Sequence, residues 1–316
     1  LGTVLLGMPI GSLLMMLLAG WLTARFGSRI VVVLAAVGYC CVVPVLGLLP
    51  SPWMLAVVLS LAGATGNLIN IAANDQAVAL ERLYGRAIMS SFHALFSVGG
   101  MVGAALGGFI HKQSVSLFAH FAGMGLIGVA LALFFARYLL AAHTDYDSSQ
   151  PIFVRPDRTL VGLGLIGLCV MLGEGAMADW SSIYLSGMLP PGSGWTTAGY
   201  TAFSLAMAAG RFGGDWFANR HGTQKTLVIS GLLSGCGLLL ALLVQQPVVV
   251  VFGFACVGLG FATVVPLVYS AAGQSKAMTA GMAIAAVSTV SFFGFLFGPP
   301  VIGWLSEVVT LRWALL

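Results

Sequence analysis

Long apolar runs separated by short polar segments form the hydrophobic pattern of this chain. Runs of about 20 residues, the length at which an α-helix crosses the hydrocarbon core of a bilayer, recur ten times along its 316 residues. They predict helices at 1–23, 30–49, 53–73, 86–110, 115–139, 160–188, 198–218, 226–244, 248–270 and 280–305. The predicted fold class is therefore all-α, with ten full membrane spans.

Composition decides which solvent these helices meet. The chain is 59% hydrophobic and only 7% charged, whereas soluble domains carry about 25% charged residues. Its mean hydropathy is +1.03. Too few charges remain to cover a water-exposed surface, so we expect a multi-pass membrane protein. The five cysteines lie in apolar stretches without paired spacing, and we expect neither disulfides nor zinc ligation.

The distribution of cations predicts the orientation of the spans, because cytoplasmic loops are enriched in Lys and Arg. If the first polar loop is cytoplasmic, ten cations share its side of the membrane: Arg25, Arg29, Arg82, Arg86, Arg137, Arg155, Arg158, Arg220, Lys225 and Lys276. The opposite side carries only Lys112 and Arg312. The bias places the loops at 25–29 and 220–225 inside and the loop at 190–195 outside.

A polar segment at 141–159 divides the spans into an N-terminal half, 1–140, and a C-terminal half, 160–316. We expect the segment to be a cytoplasmic linker. One offset of 195 residues relates Arg25 and Gly27 to Arg220 and Gly222, and it also relates Gly63 to Gly258. Such an offset predicts two homologous halves. Because the spans at 160–188 and 115–139 lack counterparts, we expect a piece of a twelve-span protein that omits the first helix and most of the last.

The loop after the first span carries the pattern G-x-L-x-x-R-x-G-x-R, at Gly20, Leu22, Arg25, Gly27 and Arg29. With the two halves and the long linker, this pattern resembles the major facilitator superfamily. The resemblance implies two six-helix halves that transport a solute by alternating access. It assigns gating roles to Arg25, Gly27, Arg29 and Arg220. Where the family usually has an aspartate before the first arginine, this chain has Ala24, and Asn219 occupies the repeat position.

The segment "GEGAMADWSSIYL" resembles the fucose-permease branch and its inner-membrane relatives, which implies a location in the bacterial inner membrane. Glu174 in this segment lies about 14 residues, or roughly 21 Å, into its span. An acid at this depth is expected to bind substrate or protons; the alternative is a carboxylate held by a neighbouring hydroxyl or amide. Asp179 and Tyr184 lie nearer the outer surface, where hydration or an interfacial role competes with a place in the substrate path.

Two further sets of polar residues are candidate cavity groups. Asn67, Asn70 and Asn74 share one helix face, where they either line a cavity for a hydroxyl-rich or zwitterionic solute or bind a neighbouring helix. His93 is a candidate proton carrier because the imidazole pKa is ordinarily about 6.5; the alternative is a helix–helix hydrogen bond.

Arg211 and Asp215 are four residues apart and can pair within their own helix. That pair is either structural or part of a cytoplasmic gate. Small residues at spacings of four predict close helix packing; they are Gly99, Gly103, Gly107, Gly294 and Gly298.

The sequence has no phosphate-binding loop, nucleophile elbow or metal-ligand cluster. We therefore predict no enzymatic activity, no cofactor and no ATP-driven transport. The predicted function is secondary active transport of a small, sugar-like solute, coupled to the movement of protons. We expect the protein to act as a monomer and to bind no nucleic acid. An exporter of amphipathic compounds and a transport-inactive sensor or scaffold are the alternatives.

Overall fold

The computed structural model describes residues 4, 6–113, 115–141, 156–190, 193, 195–276 and 278–316. Within these residues the secondary structure is helical, and no strand occurs. The helices are α1 (Gly7–Phe26), α2 (Ser28–Val45), α3 (Pro52–Tyr84), α4 (Met89–Lys112), α5 (Leu117–Ala136), α6 (Arg158–Ser186), α7 (Ala198–His221), α8 (Thr223–Leu243), α9 (Pro247–Phe261), α10 (Val264–Gly273), α11 (Ala280–Val308) and α12 (Leu311–Ala314). Leu46–Leu48 forms a short 3₁₀ helix after α2.

The helix boundaries follow local sequence signals. Proline begins α3 and α9, at Pro52 and Pro247, where its missing N–H has no helical acceptor to lose. Ser116 caps α5 by accepting a hydrogen bond from the amide of Ala119 at 3.2 Å. Helix α3 continues eleven residues beyond the predicted end of its span at Ala73, because intrahelical hydrogen bonding does not stop where apolar residues do.

Among the described residues, fewer helices meet a length and hydropathy criterion for membrane spans than the sequence predicted. Seven helices of the described residues are long and apolar enough to cross a membrane, or eight if Gly7–Met16 and Leu18–Phe26 count as one bent span. The prediction of ten full spans was therefore too high by this criterion. Helices α4 and α7 occupy predicted spans but fall outside the seven; in α7 the charges of Arg211, Asp215 and Arg220 lower the mean hydropathy.

Large apolar side chains face outward on several helices. Leu126 on α5 is 74% exposed, Leu34 on α2 is 67% exposed, and Val248 at the start of α9 is 80% exposed. A water-soluble fold would bury most such side chains, whereas helices that face lipid leave them on the outside. The chain is a multi-pass membrane protein.

The chain forms two compact units. The first comprises Leu1–Leu83, Gly99–Leu160 and Ala272–Thr289, and the second comprises Tyr84–Val98, Val161–Ala271 and Val290–Leu316. In the first unit α2 packs against α5. In the second unit α9 packs against both α7 and α8. Here Phe254, Val250 and Leu242 are fully buried and form the centre of an apolar core.

The predicted repeat is visible in the backbone of both units. Gly27 separates α1 from α2 with φ 80° and ψ 140°, and Gly222 separates α7 from α8 with φ 82° and ψ 155°. Residues with a Cβ atom rarely adopt a positive φ of this size, which accounts for glycine at both positions. Each glycine is followed by a helix whose fourth residue donates back to it, Val31 at 3.2 Å and Thr226 at 3.1 Å.

Two more contacts recur at the same offset of 195 residues. Gly63 lies against the carbonyl of Met8, and Gly258 lies against the carbonyl of Phe203. The Arg25 guanidinium lies 5.4 Å from the Trp21 ring centroid, and that of Arg220 lies 5.7 Å from Trp216. Matching tertiary contacts, in addition to matching residues, confirm the repeat.

Cysteine labelling tests the predicted orientation. In full-length protein whose native cysteines are replaced, an impermeant maleimide added outside should modify Ser193→Cys and leave Thr223→Cys unmodified. Detergent should then expose both sites, which controls for reactivity. All five native cysteines are free thiols, and replacing them removes background labelling. Labelling of Thr223→Cys alone from outside would show that the orientation is opposite to the predicted one.

Candidate functional site

Glu174 lies in the middle of α6, within the second unit, between two close helix contacts. A Cβ on the preceding Gly173 would come within 2.6 Å of the Phe261 ring, and one on the following Gly175 would lie 3.0 Å from Pro299. Glycine on both sides therefore lets α6 approach α9 and α11 closely at this level. The Oε1 atom of Glu174 is buried and has no hydrogen-bond partner among the described residues.

Arg211 on α7 is the cation that interacts with Glu174. Its neighbour Gly210 packs on Leu259 and Ala262 at the end of α9. Gly173, the neighbour of Glu174, packs on Phe261 in the same segment. The charges of Glu174 and Arg211 are close enough to attract each other. One guanidinium nitrogen of Arg211 donates to the Ser97 hydroxyl at 2.6 Å, while its Nε is buried without a partner.

His93 completes a group of polar side chains around Arg211. Its ring centroid lies 6.0 Å from that of Tyr269 on α10, and its charged form would interact with Arg211. The Nε2 atom of His93 is buried and unpartnered. We call Glu174, Arg211, His93 and Ser97 the polar cluster; it joins α4, α6 and α7 within one unit.

Asp215 is bonded outside the polar cluster. Its carboxylate accepts from the backbone N–H groups of Ser90 and Ser91 at 2.8 and 2.7 Å, and from the Ser91 hydroxyl at 2.5 Å. Asp215 thus caps the first turn of α4, where a negative charge also suits the helix dipole. Arg211 and Asp215, which the sequence allowed to pair within α7, are bonded to different partners. This arrangement favours a structural role for Asp215.

These separate partners predict additive effects of mutating Arg211 and Asp215. Asp215→Ala should cost about 1.5–3 kcal/mol of unfolding free energy, because it removes charge-assisted hydrogen bonds to donors in the first turn of α4, one of which, the Ser90 amide, is buried. Arg211→Gln and Asp215→Ala combined should differ from the sum of the single variants by less than about 0.5 kcal/mol. Unfolding by SDS in mixed micelles measures all three variants. If the double variant loses much less unfolding free energy than the sum of the two single variants, Arg211 and Asp215 form an ion pair within α7 after all.

The three asparagines of α3 lie in the first unit. Asn74 is buried and donates to the backbone oxygen of Asn70 at 2.8 Å. Asn70 is exposed, and the side-chain oxygen of Asn67 is buried and unpartnered. Asn74 is thus bonded within its own helix, whereas Asn67 retains an acceptor for a ligand or neighbour. Their predicted role in solute binding stays a prediction.

Asp179 and Tyr184, five residues apart on α6, have different surroundings. Asp179 is exposed, as a hydrated carboxylate at the outer end would be. Tyr184 is buried in the apolar core of the second unit, with its ring centroid 6.3 Å from that of Phe254 and its hydroxyl unpartnered. Of the two, Tyr184 has the packing of a core residue.

The predicted gating residues surround the two glycine turns. Arg25 and Arg220 are exposed, and Gly27 lines a small cavity with Asp75, Gln76 and Arg82. The Gln76 amide donates to the Ser28 hydroxyl at 2.8 Å and to the Leu140 carbonyl at 3.1 Å, which holds the end of α5 near this turn. The Arg29 side chain is half-buried, and the linker residue Arg155 lies outside the described residues.

The two residues that stand in place of the family carboxylate differ in their contacts. Ala24 is buried. Asn219 forms a reciprocal pair with the backbone of Ala87: its side-chain oxygen accepts and its amide donates, both at 2.8 Å. In the second unit a neutral amide therefore replaces an acid and bonds to backbone.

The two glycine stripes also differ. Gly294 lies against the backbone of Leu168, and Gly298 lies against Leu172, which confirms close packing of α11 on α6. For Gly99 and Gly103 the prediction was wrong within the described part of the chain, since an added Cβ there would meet none of its atoms within 4 Å. Spacing alone shows that a face is smooth but does not show that a partner helix covers it.

The sequence analysis missed several residues of the site. Ser97 bonds Arg211, and Ser90 and Ser91 bond Asp215, yet serines are common in membrane helices and carry no distinctive spacing. Tyr269 contacts His93 from a helix 176 residues away in sequence. A single sequence gives no signal for such pairings; only co-varying positions among homologues would reveal them.

Comparisons with known proteins place this architecture in a family. The family model of the Major Facilitator Superfamily matches residues 1–276 and 163–316. An uncharacterised MFS-type transporter of Yersinia pestis is 37% identical over 317 residues, covering 98% of this chain and 81% of the relative. An uncharacterised transporter of Sinorhizobium fredii is 33% identical over 312 residues, covering 98% of this chain and 83% of the relative.

Solved structures agree at the level of the fold. The transporter FucP in its outward conformation superposes with a TM-score of 0.82 at 16% identity, covering 99% of this chain and 85% of FucP. The matching family model, these relatives and the repeated glycine turns lead to one conclusion: the chain belongs to the Major Facilitator Superfamily.

Proposed function

We propose that the chain is a secondary active transporter that works by alternating access and couples solute movement to protons at Glu174. One observation carries this proposal: the polar cluster holds an acid, a base and a cation, each with an unpartnered buried atom, inside a membrane protein. Charged groups in a membrane helix cost about 2.5–3.5 kcal/mol each at the bilayer centre. Groups retained at that cost, and not fully bonded, are suited to bind a ligand.

Proton coupling follows from the charge balance of the polar cluster. With Glu174 ionised, its charge and that of Arg211 cancel, and the cluster can be buried at low electrostatic cost. A proton on Glu174 removes the attraction and leaves Arg211 as an uncompensated buried cation, which is unfavourable. Solute binding must offset that cost, and this requirement links proton uptake to solute uptake.

The solute class in this proposal is small, polar and sugar-like. The polar cluster, which lies within the second unit, presents unpartnered polar atoms that suit hydroxyl groups. The protein would act as a monomer in the bacterial inner membrane and import its solute by symport with protons that move down their gradient.

Flux into proteoliposomes tests the proposal. Full-length protein should accumulate its solute from a radiolabelled panel of sugars, polyols and sugar acids when the lumen is alkaline, and an uncoupler should abolish the accumulation. Solute flux down its own gradient that does not depend on pH would show that the protein is a uniporter and contradict proton coupling. Binding without flux under any gradient would favour a transport-inactive sensor.

An apolar groove favours one other function, export of amphipathic compounds. The groove between α7, α8 and α9 encloses about 390 Å³ and is lined by Trp216, Phe217, Ile229, Leu233 and Leu259, among others. Efflux of a lipophilic cationic dye from loaded vesicles measures this activity. Dye efflux that is lost on substituting Phe217 and Leu233 with polar residues would establish the exporter.

A further inference from the structure

The hydrogen bonding of Arg211 is incomplete in a way that a planar anion would complete. Ser97 occupies one terminal nitrogen of its guanidinium, while the buried Nε has no partner. The attraction between Arg211 and Glu174 is electrostatic, and Glu174 Oε1 is itself unpartnered. Guanidinium groups bind carboxylates through two parallel N–H···O bonds. Arg211 therefore has a counter-ion in Glu174 and an open donor for a second one.

We infer that the transported solute carries a carboxylate, which replaces Glu174 as the counter-ion of Arg211 when Glu174 takes up a proton. The inference rests on the proposed function and specifies its substrate class as a small hydroxylated carboxylate. Two states of the cluster are then electrically balanced: ionised Glu174 with Arg211, and protonated Glu174 with Arg211 and the solute anion. A proton alone leaves one net positive charge, and an anion alone leaves one net negative charge.

Among the described residues of the second unit, the charged interactions of Glu174 and Arg211 are with each other and, when it is protonated, with His93. His93 on α4 faces Arg211, and its protonation would place a second cation beside the guanidinium. Tyr269 on α10 lies against the His93 ring. On α11 the residues nearest Gly175 are Phe295 and Pro299, which do not titrate. One proton and one anion therefore bind together, and their net transfer moves no charge.

Ligand binding tests the inference without transport. Purified protein in detergent is heated with matched pairs of solutes: gluconate and sorbitol, lactate and lactamide, glycerate and glyceramide. Only the carboxylates should raise the unfolding midpoint. Protonation of Glu174 vacates Arg211, so binding should be strongest at acid pH and weaken about tenfold per pH unit once Glu174 ionises. Glu174→Gln should bind the same anion with no such pH dependence.

Variants of Arg211 locate the site. Arg211→Gln should remove the carboxylate preference, Arg211→Lys should retain part of it, and Arg137→Gln, which removes an exposed cation at the end of α5, should change nothing. Unfolding midpoints without ligand show that each variant is folded. Equal protection by a neutral partner, no protection by any carboxylate, or an unchanged preference in Arg211→Gln would overturn the inference.

Transport distinguishes this inference from the proposed function. Uptake of the bound carboxylate should follow a pH gradient and ignore a membrane potential imposed with valinomycin, because a proton with an anion is neutral. Uptake driven by potential alone contradicts the anion inference and leaves proton-coupled transport standing. Anion binding with no accumulation under any gradient would support the carboxylate site at Arg211 and contradict the proposal of proton-coupled transport.

Discussion

Gly258→Ala and Gly63→Ala should each lower the unfolding free energy of the protein by more than about 3 kcal/mol, at or above the usual range for overpacking. A methyl group at Gly258 would overlap the carbonyl oxygen of Phe203, and one at Gly63 would overlap that of Met8. These contacts are with backbone, so no side-chain rotation relieves them. Each variant forces two helices apart along their length. Thermal unfolding in detergent measures the loss, and the yield of monodisperse protein is a second readout.

Gly231 and Gly235 on α8 provide matched controls, since an added Cβ at either site would meet no atom of the described residues within 4 Å. Alanine there should leave stability unchanged or raise it by up to about 1 kcal/mol, through its higher helix propensity. Equal losses at Gly258, Gly63 and the control sites would mean that these helices are not in close contact. A loss at Gly258 but not at Gly63 would contradict the structural repeat.

The positions of the helices could be predicted from hydrophobicity because lipid requires every spanning segment to be apolar and internally hydrogen-bonded. Each predicted span coincides with a helix or, at 248–270, with α9 and α10 together. The repeat was predictable because Gly27 and Gly222 meet a backbone requirement that only glycine satisfies cheaply. Two features could not be predicted, because neither changes the hydrophobic pattern: the extension of α3 beyond Ala73 and the break between α9 and α10 after Phe261.

The polar cluster was only partly predictable. Glu174, His93 and Arg211 could be singled out because each is a costly residue for a membrane helix. Their grouping could not, because the sequence gives no information on which helices are neighbours. The same gap produced the pairing of Arg211 with Asp215, which was inferred from spacing within one helix. Spacing permits a bond, but neighbouring helices with better donors determine which bond forms.

Glu174→Gln should abolish accumulation of solute against its gradient and retain exchange of solute across the membrane. Glutamine has the shape of the protonated acid but carries no proton to release. Arg211 then has no internal counter-ion, so the empty carrier holds an uncompensated buried charge and reorients at high cost. The loaded carrier, in which the solute balances Arg211, still reorients. Net uptake needs the empty step, whereas exchange does not.

Two measurements on the same proteoliposomes separate these steps. Uptake driven by a pH gradient should fall to the level of empty liposomes, while counterflow into vesicles preloaded with unlabelled solute should remain within about threefold of wild type. Glu307→Gln, which neutralises an exposed acid at the end of α11, should preserve both activities. Loss of counterflow together with uptake would indicate that Glu174 binds the solute directly. Accumulation that persists and still depends on pH would exclude Glu174 as the coupling acid and make His93 the next candidate for that role.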